Sequence, residues 1–283
     1  MKDLARTLIT EHEVTERRAC KLVGISRSHF RYRSQKNEDP DLIKEILLIK
    51  ERHPYYGVPR VHAALRRKDF VVNGKKVYRL LKTLNLLWRR EPKRKKLFIP
   101  HPKSSPDATH VGKVWAMDFV FDRLNNGEPF RCFTIVDLLS RQTPGILASK
   151  SMAGFSPVDF LEKLKETTPL PKHFILDNGP EFANGAFVDW CQRNSVELHF
   201  IDPGKPVQNA YIESFNGKFR EEFLKQNDFE TIWGVQKELK KWITYYNEER
   251  PHSSLDYLTP KEFADQETGV LEKKNNLLVL KTG

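Results

Sequence analysis

Residues 114–122, VWAMDFVFD, decide the fold. The run is rich in valine and aromatic residues, as a strand requires, yet it carries an aspartate, Asp118, at its centre. Two more β-rich runs follow, RCFTIVDLLS at 131–140 and PGILASKS at 144–151, and Asn125-Asn126-Gly127 marks a turn after the first. The pattern then changes. PVDFLEKLKET (157–167) reads as a helix, HFILD (173–177) as a short buried strand, and EFANGAFVDWCQRN (181–194) as a helix opened by Pro180. VELHFI (196–201) supplies a fifth strand. Three antiparallel strands, then helix, strand, helix and strand, predict an α/β fold with a mixed five-stranded sheet flanked by helices on both faces.

Three carboxylates close apolar segments: Asp118 in the first strand, Asp177 at the end of HFILD, and Glu213 in QNAYIESFNG (208–217), with thirty-five residues between the last two. Each alone has an ordinary explanation, namely a solvated edge strand, a turn aspartate and an exposed helical glutamate. Together they can converge from three sequence-distant elements. Oxygen ligands suit a hard cation such as Mg²⁺, and two such ions can clamp the attacking and leaving oxygens of a phosphodiester. In that arrangement Asp118 bridges both ions, while Asp177 and Glu213 each complete one.

The charge is unevenly placed. The chain has 283 residues and a net charge of +11, but residues 1–100 hold 26 Lys and Arg against 11 Asp and Glu, whereas residues 101–283 hold 22 against 26. A basic half joined to a slightly acidic half suits phosphate binding in one and metal binding in the other. A merely solvated basic surface is the competing reading. No apolar run is long enough to span a membrane, and the N-terminus lacks the apolar core of a signal peptide. Cys20, Cys132 and Cys191 lie far apart and read as buried, reduced thiols in a cytoplasmic protein.

Helical patterns fill the basic half. TERRACKLVGISRSHFRYR (15–33) reads as a helix-turn-helix, with Thr15 and Ser26 as caps, Gly24 at the turn, and Arg27, Arg31 and Arg33 presented by the second helix. Leu42, Ile43, Ile46 and Leu47 share a helical face, and VPRVHAALRR (58–67) resumes the pattern after HPYYG. Asn73 is placed to cap a further helix with Val77, Leu80, Leu81 and Leu84 inward and Lys75, Lys76, Arg79 and Lys82 outward, the opposed faces of a DNA-docking helix. A bundle with a solvated charged face is the alternative. Residues 91–112 have the composition of a basic linker. The expected organisation is therefore 1–38 (helix-turn-helix-like), 39–90 (helical DNA-binding domain), 91–112 (linker), 113–265 (catalytic core) and 266–283 (tail). Within the core, a helix from about Ala210 to Leu224 carries Glu213, and Ile232, Val235, Leu239, Trp242, Ile243 and Tyr246 mark another. LEKKNNLLVLKTG (271–283) reads as an edge strand or a frayed tail.

WAMDF, LDNGPEF and PGKPVQNAYIESFNGKFR resemble the DDE catalytic core shared by bacterial insertion-sequence transposases and retroviral integrases. HPYYGVPRVHAALRR, VVNGKKVYRLL and YNEERPHSSLDYLTPKEF extend the resemblance, over nearly the whole chain, to transposases encoded by the second reading frame of two-frame elements. The resemblance implies a ribonuclease H-like fold, Mg²⁺ or Mn²⁺ (two ions when DNA is bound), and DNA strand cleavage and transfer at element ends. It implies further that Arg220, seven positions after Glu213, reaches a DNA phosphate, with Asn178, Asn209 and Lys218 as additional DNA contacts. Asn247, Arg250 and His252 either pack or touch DNA. The implied partners are element ends and target DNA, further copies of the chain in a synaptic complex, and a first-reading-frame protein or its fusion, all in a bacterial cytoplasm at the nucleoid. Two departures stand out: the His/Cys zinc module of retroviral integrases has no counterpart in the spacing, and no heptad zipper is present. The rival readings are a nuclease of the same fold and a non-catalytic DNA-binding partner or regulator.

Overall fold

The computed structural model describes residues 1–32, 39–88, 106–150, 157–177, 179, 182, 185–201 and 209–279. The chain divides into two compact units, residues 1–47 and 48–283. In the first, α1 (Lys2–Thr10), α2 (Glu16–Val23) and α3 (Arg27–Arg31) bury Ala5, Ala19, Cys20 and Val23. The turn between α2 and α3 is the one expected: Gly24 takes a left-handed φ of 70°, and the Ser26 hydroxyl accepts from the His29 amide at 3.1 Å. Thr15 stands at the N-cap without a side-chain hydrogen bond. Arg27 and Arg31 both pair with Glu16, which occupies the guanidiniums expected to point outward, and Arg33 lies outside the described residues. Helix α4 (Pro40–Arg52) begins in this unit; its Leu42 and Ile46 are buried, while Leu47 is exposed.

The second unit contains α5 (Val58–Arg66), α6 (Gly74–Thr83) and a single sheet. Asn73 caps α6 by accepting from the Lys75 amide at 2.8 Å, and Val77 and Leu81 form its buried stripe. The strands are β1 (Val114–Arg123), β2 (Pro129–Asp137), β3 (Ile146–Ser149), β4 (His173–Leu176) and β5 (Glu197–Phe200), in the order β3-β2-β1-β4-β5. β1–β2 and β2–β3 pair antiparallel, β1–β4 and β4–β5 parallel. This is the mixed five-stranded sheet the sequence predicts.

Alternating side chains divide the core between two faces. Val114, Ala116 and Val120 of β1 pack with Ile212, Phe215 and Phe219 of α9 (Ala210–Glu222) and with Val235, Leu239, Trp242 and Tyr246 of α10 (Ile232–Glu248). Trp115 and Met117 pack on the other side with Leu161 of α7 (Pro157–Leu164) and Phe187, Trp190 and Cys191 of α8 (Gly185–Arg193). The start of a helix at Pro180 lies outside the described residues. The expectation of an edge strand or a tail fails over residues 271–279, and the rest of that segment lies outside the described residues. α11 runs Pro260–Val279, set off by a reciprocal cap in which Thr259 Oγ1 accepts from the Glu262 amide at 3.2 Å and a Glu262 oxygen accepts from the Thr259 amide at 2.8 Å. Its Leu-, Lys- and Glu-rich composition favours helix over strand.

Candidate active site

The central strand β1 places Asp118 on the face covered by α9, beside the neutral Thr134 of β2. One Asp118 oxygen accepts from the Phe119 amide at 2.7 Å and the other from Asn216 Nδ2 at 2.8 Å. The Thr134 hydroxyl lies 2.9 Å from Asn216 Oδ1 and 3.0 Å from the Asp118 carbonyl oxygen, so its single proton reaches one of them at a time. Asn216 lies one turn beyond Glu213 and is buried, so one helix supplies both the exposed carboxylate and the amide that fixes Asp118. Sequence reasoning missed Asn216 and Thr134. The available signal was Asn216 at i+3 from Glu213 on a helix whose inward face is otherwise apolar.

Asp177 immediately follows β4, adjacent to β1, and accepts from the Gly179 amide at 3.1 Å. Burial pushes the Asp118 carboxyl above its ordinary range, and the negative charges of Asp177 and Glu213 push it further; the Phe119 and Asn216 hydrogen bonds offset part of this. The three acids therefore act on one another electrostatically. Their oxygens do not all come within 4.8 Å of one another; among the described residues, that closeness belongs only to His173, Glu197 and His199.

The expected DNA-contact residues are placed differently from one another. Arg220 is exposed and donates to the Phe121 carbonyl at 3.1 Å. Lys218 is half-buried, and burial, with the nearby Arg250 charge, lowers its ammonium to about 8. Asn209 is buried at the start of α9 with its Oδ1 unpartnered among the described residues, and Asn178 lies outside them. On α6, Lys75, Arg79 and Lys82 are exposed and Lys76 is half-buried.

The late motif packs rather than projecting. Arg250 is fully buried and forms a two-pronged pair with Glu222, both bonds at 2.6 Å, and Arg60 reaches the same carboxylate at 3.0 Å. His252 Nε2 lies 2.9 Å from Arg250 Nη1, and because a guanidinium only donates, the imidazole accepts there. Burial first and the Arg250 charge second hold His252 far below the usual imidazole range. Asn247 is tied to Thr143 in both directions, at 2.9 and 3.0 Å.

Models of known families match most of the chain. An integrase core domain profile matches residues 108–206, a second integrase core profile matches 194–260, and an HTH-like domain profile matches 35–96. The chain is 38% identical over 253 residues to an uncharacterized 31.7 kDa protein of insertion element IS407 from Burkholderia multivorans, covering 89% of this chain and 91% of that protein. The chain belongs to the insertion-element transposases of the second-reading-frame, DDE type. A 39.2 kDa protein of element IS476 from Xanthomonas euvesicatoria is 35% identical to the transposase over 268 residues, covering 93% of this chain and 76% of the relative. In fold, the transposase matches a chain of the simian T-cell lymphotropic virus intasome with a TM-score of 0.50 at 15% identity, over 78% of this chain and 74% of that one. The fold is ribonuclease H-like. No helix among the described residues is long and apolar enough to cross a membrane.

Proposed function

We propose that Asp118, Asp177 and Glu213 are the catalytic carboxylates of a metal-dependent polynucleotidyl transferase and hold Mg²⁺ or Mn²⁺, two ions once DNA is bound. The observation that carries this reading is the placement of Asp118: it stands on the central strand β1, on the face covered by α9, and its oxygens accept from the neutral Phe119 amide and Asn216 side chain, while burial, and after it the charges of Asp177 and Glu213, raise its carboxyl. An all-oxygen set whose charges repel one another fits a hard divalent cation. Ions bound there lower the pKa of water or a 3′-hydroxyl and stabilise charge on the phosphodiester. The protein's own contribution is positional. Asn216 and the Phe119 amide fix Asp118 on the most interior strand, β4 delivers Asp177 beside it, and α9 brings Glu213. Arg220, two turns along α9, faces a DNA phosphate.

Cleavage and strand transfer of an element-end duplex by the full chain are expected to stop with EDTA and resume with Mg²⁺ or Mn²⁺. Activity indifferent to chelation sinks the proposal. Asn216→Ala is expected to lower strand transfer by about 10–100-fold, the usual effect of losing a partner that orients a metal-binding group. An unchanged rate, with folding intact by circular dichroism, would show that Asp118 needs no such support.

DNA binding is assigned to the helical segment 39–90. Replacing Lys75, Arg79 and Lys82 together by Ala in the full chain should flatten the dependence of log K on log salt by about 0.9 for each phosphate no longer neutralised. A slope unaltered by the triple substitution removes α6 from the DNA surface. Two DNA ends must be joined, so the working form is a homo-oligomer in a synaptic complex. Because the three acids are not drawn together within 4.8 Å, a second reading has support: the chain completes its site only with DNA or a first-reading-frame protein, and is otherwise a DNA-binding partner.

A further inference from the structure

A second cluster of ligand atoms lies at the opposite end of β4. His173 and Glu197 are register partners on the parallel pair β4–β5, and His199 follows two residues after Glu197, so all three side chains share one face of the sheet. His173 Nδ1 is 3.1 Å from His199 Nε2 and 3.2 Å from a Glu197 oxygen, which is 3.8 Å from His199 Nε2. Three lone-pair-bearing atoms thus surround one point. With both rings neutral, one N–H at that point serves one acceptor well and leaves the remaining atoms facing each other.

These separations bracket a tetrahedral coordination edge and come within a few tenths of an ångström of it. A tetrahedral zinc ion sits about 2.0–2.2 Å from imidazole nitrogen and carboxylate oxygen, which sets ligand atoms about 3.3–3.6 Å apart. Two imidazoles and one carboxylate are the donor types of Zn²⁺ and its neighbours in the transition series; Mg²⁺ prefers oxygen alone. His173 is largely buried, at 17% side-chain exposure, whereas Glu197 is 71% exposed, so the fourth position opens to solvent. The cluster is separate from the acid trio. Asp177 lies four residue steps along the strand from His173, a distance of about 13 Å.

We propose that His173, Glu197 and His199 form a transition-metal site of the Zn²⁺ class that clamps the edge strand β5 to β4. β5 has four residues, is poorly buried, and precedes the segment that leads into α9 with Glu213. A cross-strand metal bond holds that edge where apolar packing is thin. The site is independent of the catalytic proposal, since neither imidazole belongs to the carboxylate trio.

The test uses the full chain carrying Asp118→Asn and Asp177→Asn, so that metal bound among the acids does not contribute. Titration with Co²⁺ is expected to give one saturable equivalent with the intense visible bands of tetrahedral coordination. Zn²⁺ should displace it and raise the unfolding temperature, and excess Mg²⁺ should do neither. Adding His199→Ala should weaken Zn²⁺ affinity by more than about 100-fold, beyond the loss typical of outer partners. Glu197→Gln, at an exposed position that cannot disturb the core, should weaken it by at least about tenfold. No saturable Co²⁺ binding, an octahedral spectrum, or affinity unchanged by Glu197→Gln overturns the site and leaves a hydrogen-bonded histidine pair.

Discussion

Asp118→Asn is expected to reduce Mg²⁺-dependent strand transfer by more than about 100-fold, since even residues that merely orient metal ligands cost about 10–100-fold when removed. DNA binding should remain largely intact. The substitution preserves shape but not chemistry. Both Asp118 oxygens accept, one from the Phe119 amide and one from Asn216 Nδ2, and a carboxamide offers a single oxygen. One donor is then opposed by another, and the negative charge that would hold a cation is gone. The fold should survive, because burial and the Asp177 and Glu213 charges already disfavour the ionised Asp118 carboxylate. Asp177→Asn and Glu213→Gln should be similarly inactive. Undiminished strand transfer in any of the three, measured on pre-cut element ends, removes that residue from the site.

Why the acids were legible and their supports were not follows from range. The run around Asp118 betrays itself locally, because a charge amid valine and aromatic residues needs a reason wherever the strand lies. Asn73 and Ser26 were equally readable, since a helix cap acts within three residues. Asn216 is different: its partners Asp118 and Thr134 are 98 and 82 residues away, and only the register of β1 with β2 and the seat of α9 bring them together. The His173, Glu197 and His199 cluster is likewise a product of β4–β5 register. Arg250 and His252 could have faced DNA or the core, and nothing near them in sequence chooses; the distant Glu222 does. The C-terminal helix is the case in which the deciding signal is local. Thr259-Pro260-Lys261-Glu262 is a capping box, and it starts α11 ahead of residues read as an edge strand or a tail.

Glu222→Ala is expected to destabilise the second compact unit by about 3–5 kcal/mol, the cost of stripping one partner from a buried ion pair. The Arg250 and Glu222 side chains are 0% and 2% exposed, so neither charge can turn to water when the other is lost. Removing Glu222 leaves Arg250 and Arg60 facing each other across the vacated carboxylate, with Lys218 close enough to be perturbed by Arg250. Replacing Glu222 and Arg250 together by Leu and Met should cost less than the single change, because the uncompensated charge disappears with its partner. Urea unfolding of the wild type, Glu222→Leu, Arg250→Met and the double variant measures the coupling, and additive losses would mean the pair is not a unit. Acid supplies an independent check. Burial alone would raise the Glu222 carboxyl, but Arg250 and then Arg60 outweigh it and leave it below its ordinary value of 4.5. A depressed carboxyl stabilises the fold fully above the unfolded value and progressively less as pH falls through the folded one. The wild type should therefore lose stability more steeply below about pH 4.5 than Glu222→Gln, which has no proton to take up there. Because Glu222 ends the helix that carries Glu213 and holds Arg60 of α5, the loss should reach the acid trio and the basic helices together.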